Sequence, residues 1–189
     1  MALLDGKPVL EHVLTRAKLI SGIDKVVCAF PEDEASLPIL NLCREMRVLA
    51  FAGDEDDVLG RYQEAAKDVK ADIIMRLTAD CPFIDPALCE LVLEMLKKED
   101  LDYASNVHPT RTFPKGFDCE CFTMGCLEAA SGEASDPYDR EHVTPWMQNN
   151  KRLDIGTLAA KVNVSDINYC VDFPEDIKRL EDILRSSNG

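Results

Sequence analysis

Basic charge is scarce in this chain: 21 Lys and Arg stand against 35 Asp and Glu in 189 residues, a formal net charge of −14. A nucleic-acid partner needs a basic stripe to neutralise phosphates, so none is expected here. Histidine is rarer still, with His12, His108 and His142 alone. The eight cysteines (28, 43, 81, 89, 119, 121, 126 and 170) include no C-x-x-C pair. A zinc site built on close cysteine pairs with partner histidines is therefore not expected. Cys28, Cys43, Cys89 and Cys170 sit among apolar neighbours and read as small core residues, reduced thiols of a cytosolic protein. Long apolar runs are absent too. Nothing approaches the ~20 residues needed to span a bilayer, and residues 1–10 lack a signal-peptide layout, so a cytoplasmic protein with no membrane partner is expected. The nine glycines are scattered, without a G-x-G-x-x-G or Walker-type run.

What remains is an acidic chain long enough for one domain over residues 1–189. Its acidity suits a protein that holds a polyphosphate through a divalent metal rather than through lysines.

Strand and helix patterns alternate along the chain. Leu10, Val13, Leu14 and Ala17 form one helical stripe behind Pro8, a residue suited to a first turn. Residues 25–30 read as a buried strand. Ile39, Leu42, Cys43 and Met46 mark a second helix, and residues 48–52 a second strand. Residues 57–67 are helical, with acids at the start that suit the helix dipole. Residues 72–77 form the clearest strand. Asp85-Pro86 is an N-cap followed by proline at the first helical position, and Leu88, Leu91, Val92, Met95 and Leu96 line the helix beyond. From 103 to 124 short strands and turns take over. A helix is expected over 138–148, ended or kinked by Pro145. Strands are expected over 153–159 and 168–171, and a closing helix over 174–184. This alternation predicts an α/β fold with a mostly parallel sheet and helices on both faces. Residues 106–150 form its irregular part.

In such a fold, ligands gather beyond the carboxyl ends of the strands. Asp80 follows the 72–77 strand and Asp172 follows 168–171. Two strand-end carboxylates suit Mg²⁺, which takes oxygen ligands from one or two carboxylates and from substrate phosphates. Each residue also has a simpler reading, Asp80 as the start of a turn and Asp172 as a cap for the helix near Pro174. Asp85 is explained by its cap.

The wording of seven ordered segments is similar to one family. They include Asp5-Gly-Lys-Pro8, Gly53-Asp-Glu-Asp-Asp57, Arg76-Leu-Thr-Ala-Asp-Cys-Pro82, Asp102-Tyr-Ala-Ser-Asn106, Gly116-Phe-Asp-Cys-Glu-Cys-Phe122, Arg140-Glu-His-Val-Thr-Pro145 and Val171-Asp-Phe-Pro-Glu-Asp176. Together they resemble the spore coat polysaccharide biosynthesis protein F family of cytidylyltransferases, relatives of CMP-sialic acid and CMP-Kdo synthetases. The resemblance implies a nucleotide-diphospho-sugar transferase fold of the GT-A-like kind. It also implies transfer of CMP from CTP to an acidic sugar with release of pyrophosphate, in a homodimer that uses Mg²⁺. Asp80 and Asp172 match the family's metal-binding aspartates.

Other residues are candidates with competing readings. Arg76 suits a phosphate or sugar carboxylate, or is a solvated strand-end charge. Lys7 precedes a helix N-terminus that attracts anions, or is a loop lysine. Asp118 and Glu120 alternate along a strand and border the implied acceptor pocket, or lie on a solvent face. Glu141 and His142 lie on the segment the resemblance assigns to the acceptor. His142 then orients or deprotonates a hydroxyl, or is a surface histidine.

The family's opening strand and Q-A-R-x-x-S-x-R-L-P-G-K loop precede the segment matching Leu4–Pro8, and neither stands in this sequence. The expectation is therefore a fold without its first strand and a chain with little or no CMP transfer. A non-catalytic sugar- or partner-binding homologue that oligomerises through 106–150 is the alternative. A glycosyltransferase is disfavoured because the D-x-D run Asp54-Glu-Asp56 leads into a helix.

Overall fold

The structure is a computed structural model that describes residues 1–187. A short antiparallel hairpin, β1 (Leu3–Leu4) and β2 (Lys7–Pro8), opens the chain and leads into α1 (Val9–Ala17). β3 (Val27–Pro31), α2 (Leu37–Met46) and β4 (Leu49–Gly53) follow, with Pro38 in the first turn of α2, where its missing N–H costs nothing. α3 (Val58–Val69), β5 (Ile73–Arg76) and α4 (Pro86–Lys98) complete the first half. Asp85 caps α4, its Oδ1 accepting the Ala87 N–H at 2.9 Å. The second half runs β6 (Tyr103–Ser105), β7 (Glu120–Thr123), α5 (Met124–Glu133), α6 (Pro137–His142), α7 (Pro145–Asn149), β8 (Ile155–Thr157) and α8 (Pro174–Ser187).

The chain is α/β, but its strand pairing is mixed. β3 and β4 pair in parallel as a sheet of their own. The other sheet has the order β5-β7-β6-β8, antiparallel at β5–β7 and β6–β7 and parallel at β6–β8. β7 inserts between β5 and β6 and reverses direction there, which strand periodicity alone does not reveal.

β7 shows where the core sits. Successive strand residues face opposite sides. Cys121 packs with Cys89, Val92 and Leu96 of α4, whereas Phe122 packs with Leu59 of α3, Leu127 of α5 and Met147 of α7. Helices therefore cover both faces of this sheet. A further cluster of Leu10, Leu14, Leu42, Cys43 and Val48 joins α1 to α2.

Three expectations change. The 138–148 helix is two short helices broken at Val143, whose φ is 72°. Residues 168–171 form no strand, only an isolated parallel bridge from Asn168 to Lys115. α5 lies where no helix was expected.

Candidate functional site

Asp80 lies in the turn after β5, where the Cys81 N–H meets the Thr78 carbonyl at 3.4 Å. Asp172 lies 92 positions later, in the segment before α8. The fold brings the two segments side by side: the Val171 N–H donates to the Asp80 carbonyl at 2.9 Å. Asp172 is exposed, and its carboxylate takes no hydrogen bond among the described residues. Its reading as the cap of α8 fails. Asp176, in the first turn of α8, reaches back instead, its Oδ2 accepting the N–H groups of Asp172 and Phe173 at 3.1 and 2.9 Å. Arg179 and those N–H groups hold the Asp176 carboxyl below the usual carboxylate range.

Around the Asp80 carboxylate stand two sulfurs. Cys81 Sγ is 3.4 Å from Asp80 Oδ1 and 3.7 Å from Cys170 Sγ. Thr78 Oγ1 lies 3.0 Å from Cys81 Sγ. The bond to Cys170, burial and the Asp80 charge all push the Cys81 thiol far above its ordinary value. Among the described residues this is the one cluster of three metal-capable side chains. Cys170, read from sequence as core, is only half-buried.

The remaining candidates fall elsewhere. Arg76 and Glu120 pair with each other at 2.6 Å across the β5–β7 register. Glu120 is buried, its side chain 4% exposed, and also accepts the Tyr103 hydroxyl at 2.6 Å and Gln148 Nε2 at 3.0 Å. With three hydrogen bonds made inside the fold, one between the two and two more on Glu120, neither residue is a solvent-face charge, and both serve the core in this structure. Burial, followed by the Glu120 charge, pushes the Tyr103 hydroxyl upward. Asp118 is held by both terminal nitrogens of Arg111, so it shares neither partner nor environment with Glu120. Lys7 pairs with Glu11 at 3.2 Å and lines a pocket of about 320 Å³ with His12, Thr15, Arg16 and Leu19. That pocket does not contain Asp80. It touches the Asp80 turn indirectly, through Arg16 Nη1 donating to the Ile84 carbonyl at 3.2 Å. Glu141 and His142 are exposed on α6, the imidazole edge-on to Tyr138.

One pair escaped sequence reasoning. Arg140 of α6 grips the Asp57 carboxylate with Nε, at 2.8 Å, and with Nη2, while Asp57 Oδ1 caps α3 by accepting the Gly60 N–H at 2.9 Å. Burial alone raises the Asp57 carboxyl. The Arg140 and Gly60 hydrogen bonds and the Arg140 and Arg61 charges outweigh it and hold the group below the usual range. Both residues stand in recognisable segments, but nothing in their spacing says that they meet.

The chain is thus a mixed α/β scaffold with two carboxylate-bearing residues at adjoining loop ends, and in open α/β sheets ligands gather at such ends. The chain belongs to the cytidylyltransferase family, whose model matches residues 1–187. It is 35% identical over 150 residues to an uncharacterized protein of Methanocaldococcus jannaschii, covering 79% of this chain and 60% of that one. It is 28% identical over 131 residues to the spore coat polysaccharide biosynthesis protein SpsF of Bacillus subtilis, covering 69% and 53%. With a 3-deoxy-manno-octulosonate cytidylyltransferase of Elusimicrobium minutum it shares 34% identity over 110 residues, covering 57% and 43%. The chain thus spans roughly half the length of these relatives. Its fold matches a solved cytidylyltransferase from Leptospira borgpetersenii with a TM-score of 0.92 at 27% identity, covering 97% of this chain and 78% of that one. No helix among the described residues is long and apolar enough to cross a membrane.

Proposed function

We propose that this chain serves a cytidylyltransferase that moves CMP from CTP to an acidic sugar, with Asp80 and Asp172 holding the Mg²⁺ that accompanies the triphosphate. The observation that carries the reading is the Val171–Asp80 backbone bond, which sets two carboxylate-bearing residues on adjoining segments. Oxygen donors of this kind fit a hard divalent cation. When bound, Mg²⁺ supplies charge neutralisation for the phosphate oxygens and the leaving pyrophosphate.

The reaction needs positioning rather than a nucleophilic side chain. The sugar hydroxyl attacks the α-phosphorus, the bond from that phosphorus to the pyrophosphate oxygen breaks, and the hydroxyl proton leaves to a base. His142, exposed on α6, is available for that proton or for orienting the hydroxyl, with Glu141 beside it. Lys7 and Arg16 place two cations on the pocket next to the Asp80 turn, where phosphate oxygens can be met. The likeness to the 3-deoxy-manno-octulosonate enzyme supports an acidic sugar, and the likeness to SpsF supports a place in polysaccharide biosynthesis.

Calorimetric titration with CTP in the presence of Mg²⁺ tests the nucleotide site. Saturable, metal-dependent heat is expected, reduced at least about tenfold in affinity by Asp80→Asn or Asp172→Asn. Pyrophosphate release in the presence of an acidic sugar, measured on the protein at its natural length, tests the transfer. No heat, together with a stable oligomer by light scattering, favours a non-catalytic partner-binding domain instead.

A further inference from the structure

We infer that Asp80, Cys81 and Cys170 form a binding site for one thiophilic divalent cation of the Zn²⁺ type. The inference rests on donor geometry and stands whether or not the chain transfers CMP. Zinc takes thiolate sulfur at about 2.3 Å and carboxylate oxygen at about 2.0–2.2 Å in a tetrahedral arrangement. Two sulfurs on such an ion are then about 3.7–3.8 Å apart, and a sulfur and an oxygen about 3.5 Å apart. The structure has Cys81 Sγ and Cys170 Sγ at 3.7 Å and Cys81 Sγ and Asp80 Oδ1 at 3.4 Å. The third pair, Cys170 and Asp80, also lies within 4.8 Å, so small side-chain rotations bring the set onto one ion.

The donors come from two segments that the fold locks together. Cys81 is buried, 1% exposed, and is fixed from below by Thr78 Oγ1 at 3.0 Å. Cys170 is anchored through its N–H, which donates to Asn168 Oδ1 at 2.8 Å, and Arg179 Nη2 donates to its carbonyl at 3.3 Å. Val171, the next residue, carries the N–H that bonds Asp80. Such backing orients ligands before an ion arrives. Access is from the side of Cys170 and Asp80, both half-exposed. A water completes the tetrahedron.

Softness decides which ion is favoured. Mg²⁺ uses oxygen donors and keeps its waters, so two sulfurs add nothing for it; Zn²⁺ and Co²⁺ gain from thiolate. Without an ion the two thiols share an S–H hydrogen bond at 3.7 Å, a separation that also suits two thiolate ligands of one ion once the protons leave, whereas a disulfide would need about 2.0 Å. The site is therefore one at which a thiophilic ion competes for Asp80 with a hard cation.

Co²⁺ is the reporter for the test, because tetrahedral thiolate coordination gives intense visible and near-ultraviolet bands. The whole chain, reduced and metal-free, is titrated with Co²⁺. One ion per chain with these bands is expected, bleached by stoichiometric Zn²⁺ and left intact by a large excess of Mg²⁺. Cys170→Ser and Asp80→Asn are each expected to lower Co²⁺ affinity at least about tenfold, while Cys28→Ser leaves it unchanged. Circular dichroism checks the fold of every variant. Should Cys170→Ser disturb it, Cys170→Ala gives the same comparison. The inference is overturned if the folded wild-type chain shows no tetrahedral bands at saturating Co²⁺, or if a folded Cys170 variant keeps bands and affinity.

Discussion

The Val171 N–H donates to the Asp80 carbonyl oxygen at 2.9 Å, and this single bond joins the turn after β5 to the segment before α8. It holds together residues 91 positions apart. Cys170, just before Val171, stands 3.7 Å from Cys81 of the Asp80 turn, and Asp172 follows on the other side.

Proline at position 171 removes the donor, fixes φ there and restricts the backbone of Cys170 before it. Val171→Pro is expected to weaken Mg²⁺-dependent CTP binding and Co²⁺ binding by about tenfold or more. Val171→Ala, which keeps the N–H, should bind both as the wild type does. Calorimetry on the two variants makes the comparison.

Gly116 matters to the same segment from the opposite side. Its φ is +94°, and a Cβ there would meet the Tyr169 carbonyl carbon at 2.8 Å and the Cys170 nitrogen at 3.0 Å. Lys115 brackets this contact, its N–H bonding the Ile167 carbonyl at 2.9 Å and its carbonyl accepting the Tyr169 N–H at 2.8 Å. Gly116→Ala is expected to cost about 1–3 kcal/mol in urea unfolding, through strain at a special backbone conformation. Its signature is a simultaneous loss of Co²⁺ affinity, because Cys170 is the atom group pushed aside.

Glu120 is a structural acid. Glu120→Ala leaves Arg76 inside the fold without its partner, and breaking a buried pair from one side costs about 3–5 kcal/mol. Urea denaturation should show a loss of that order. A variant that unfolds at the wild-type midpoint while losing acceptor affinity would return Glu120 to the substrate pocket.

Asp57 makes stability depend on pH. Its carboxyl titrates lower in the folded protein than in the unfolded chain, so its contribution is fully present above the ordinary value of about 4 and is lost as pH falls through the folded value. Asp57→Asn should therefore lower the urea midpoint at pH 7, where the Arg140 pair is intact. The gap between wild type and variant should narrow as pH falls below about 4. A gap that stays constant with pH assigns the effect to the α3 cap rather than to the charge.

Much of the fold was legible because helix signals are local. The stripe Leu10, Val13, Leu14, Ala17 and the Asp85-Pro86 start declare α1 and α4 within a few residues. α5 was not legible. Its sequence, Met124 to Glu133, carries two glycines and buries only Cys126, Leu127 and Ala130, so neither propensity nor a broad apolar face marks it. Its one local sign is Thr123, whose Oγ1 accepts the Cys126 N–H at 3.1 Å as an N-cap. The mixed sheet was hidden for a different reason: β7 reads as a strand, but which neighbours it joins depends on contacts far along the chain.

By itself the sequence determined the α/β class and the cytidylyltransferase likeness and singled out the two aspartates as candidates, since each is written in local pattern or in ordered short segments. Tertiary structure alone decided which of the charged residues are spent inside the fold, as Arg76 and Glu120 are on each other. It also decided that Cys170, packed against the core, stands beside Cys81 and Asp80. The physical reason is that ion pairs and metal donors act over a few ångströms in space, and sequence spacing carries no record of which distant segments a folded chain brings within that reach.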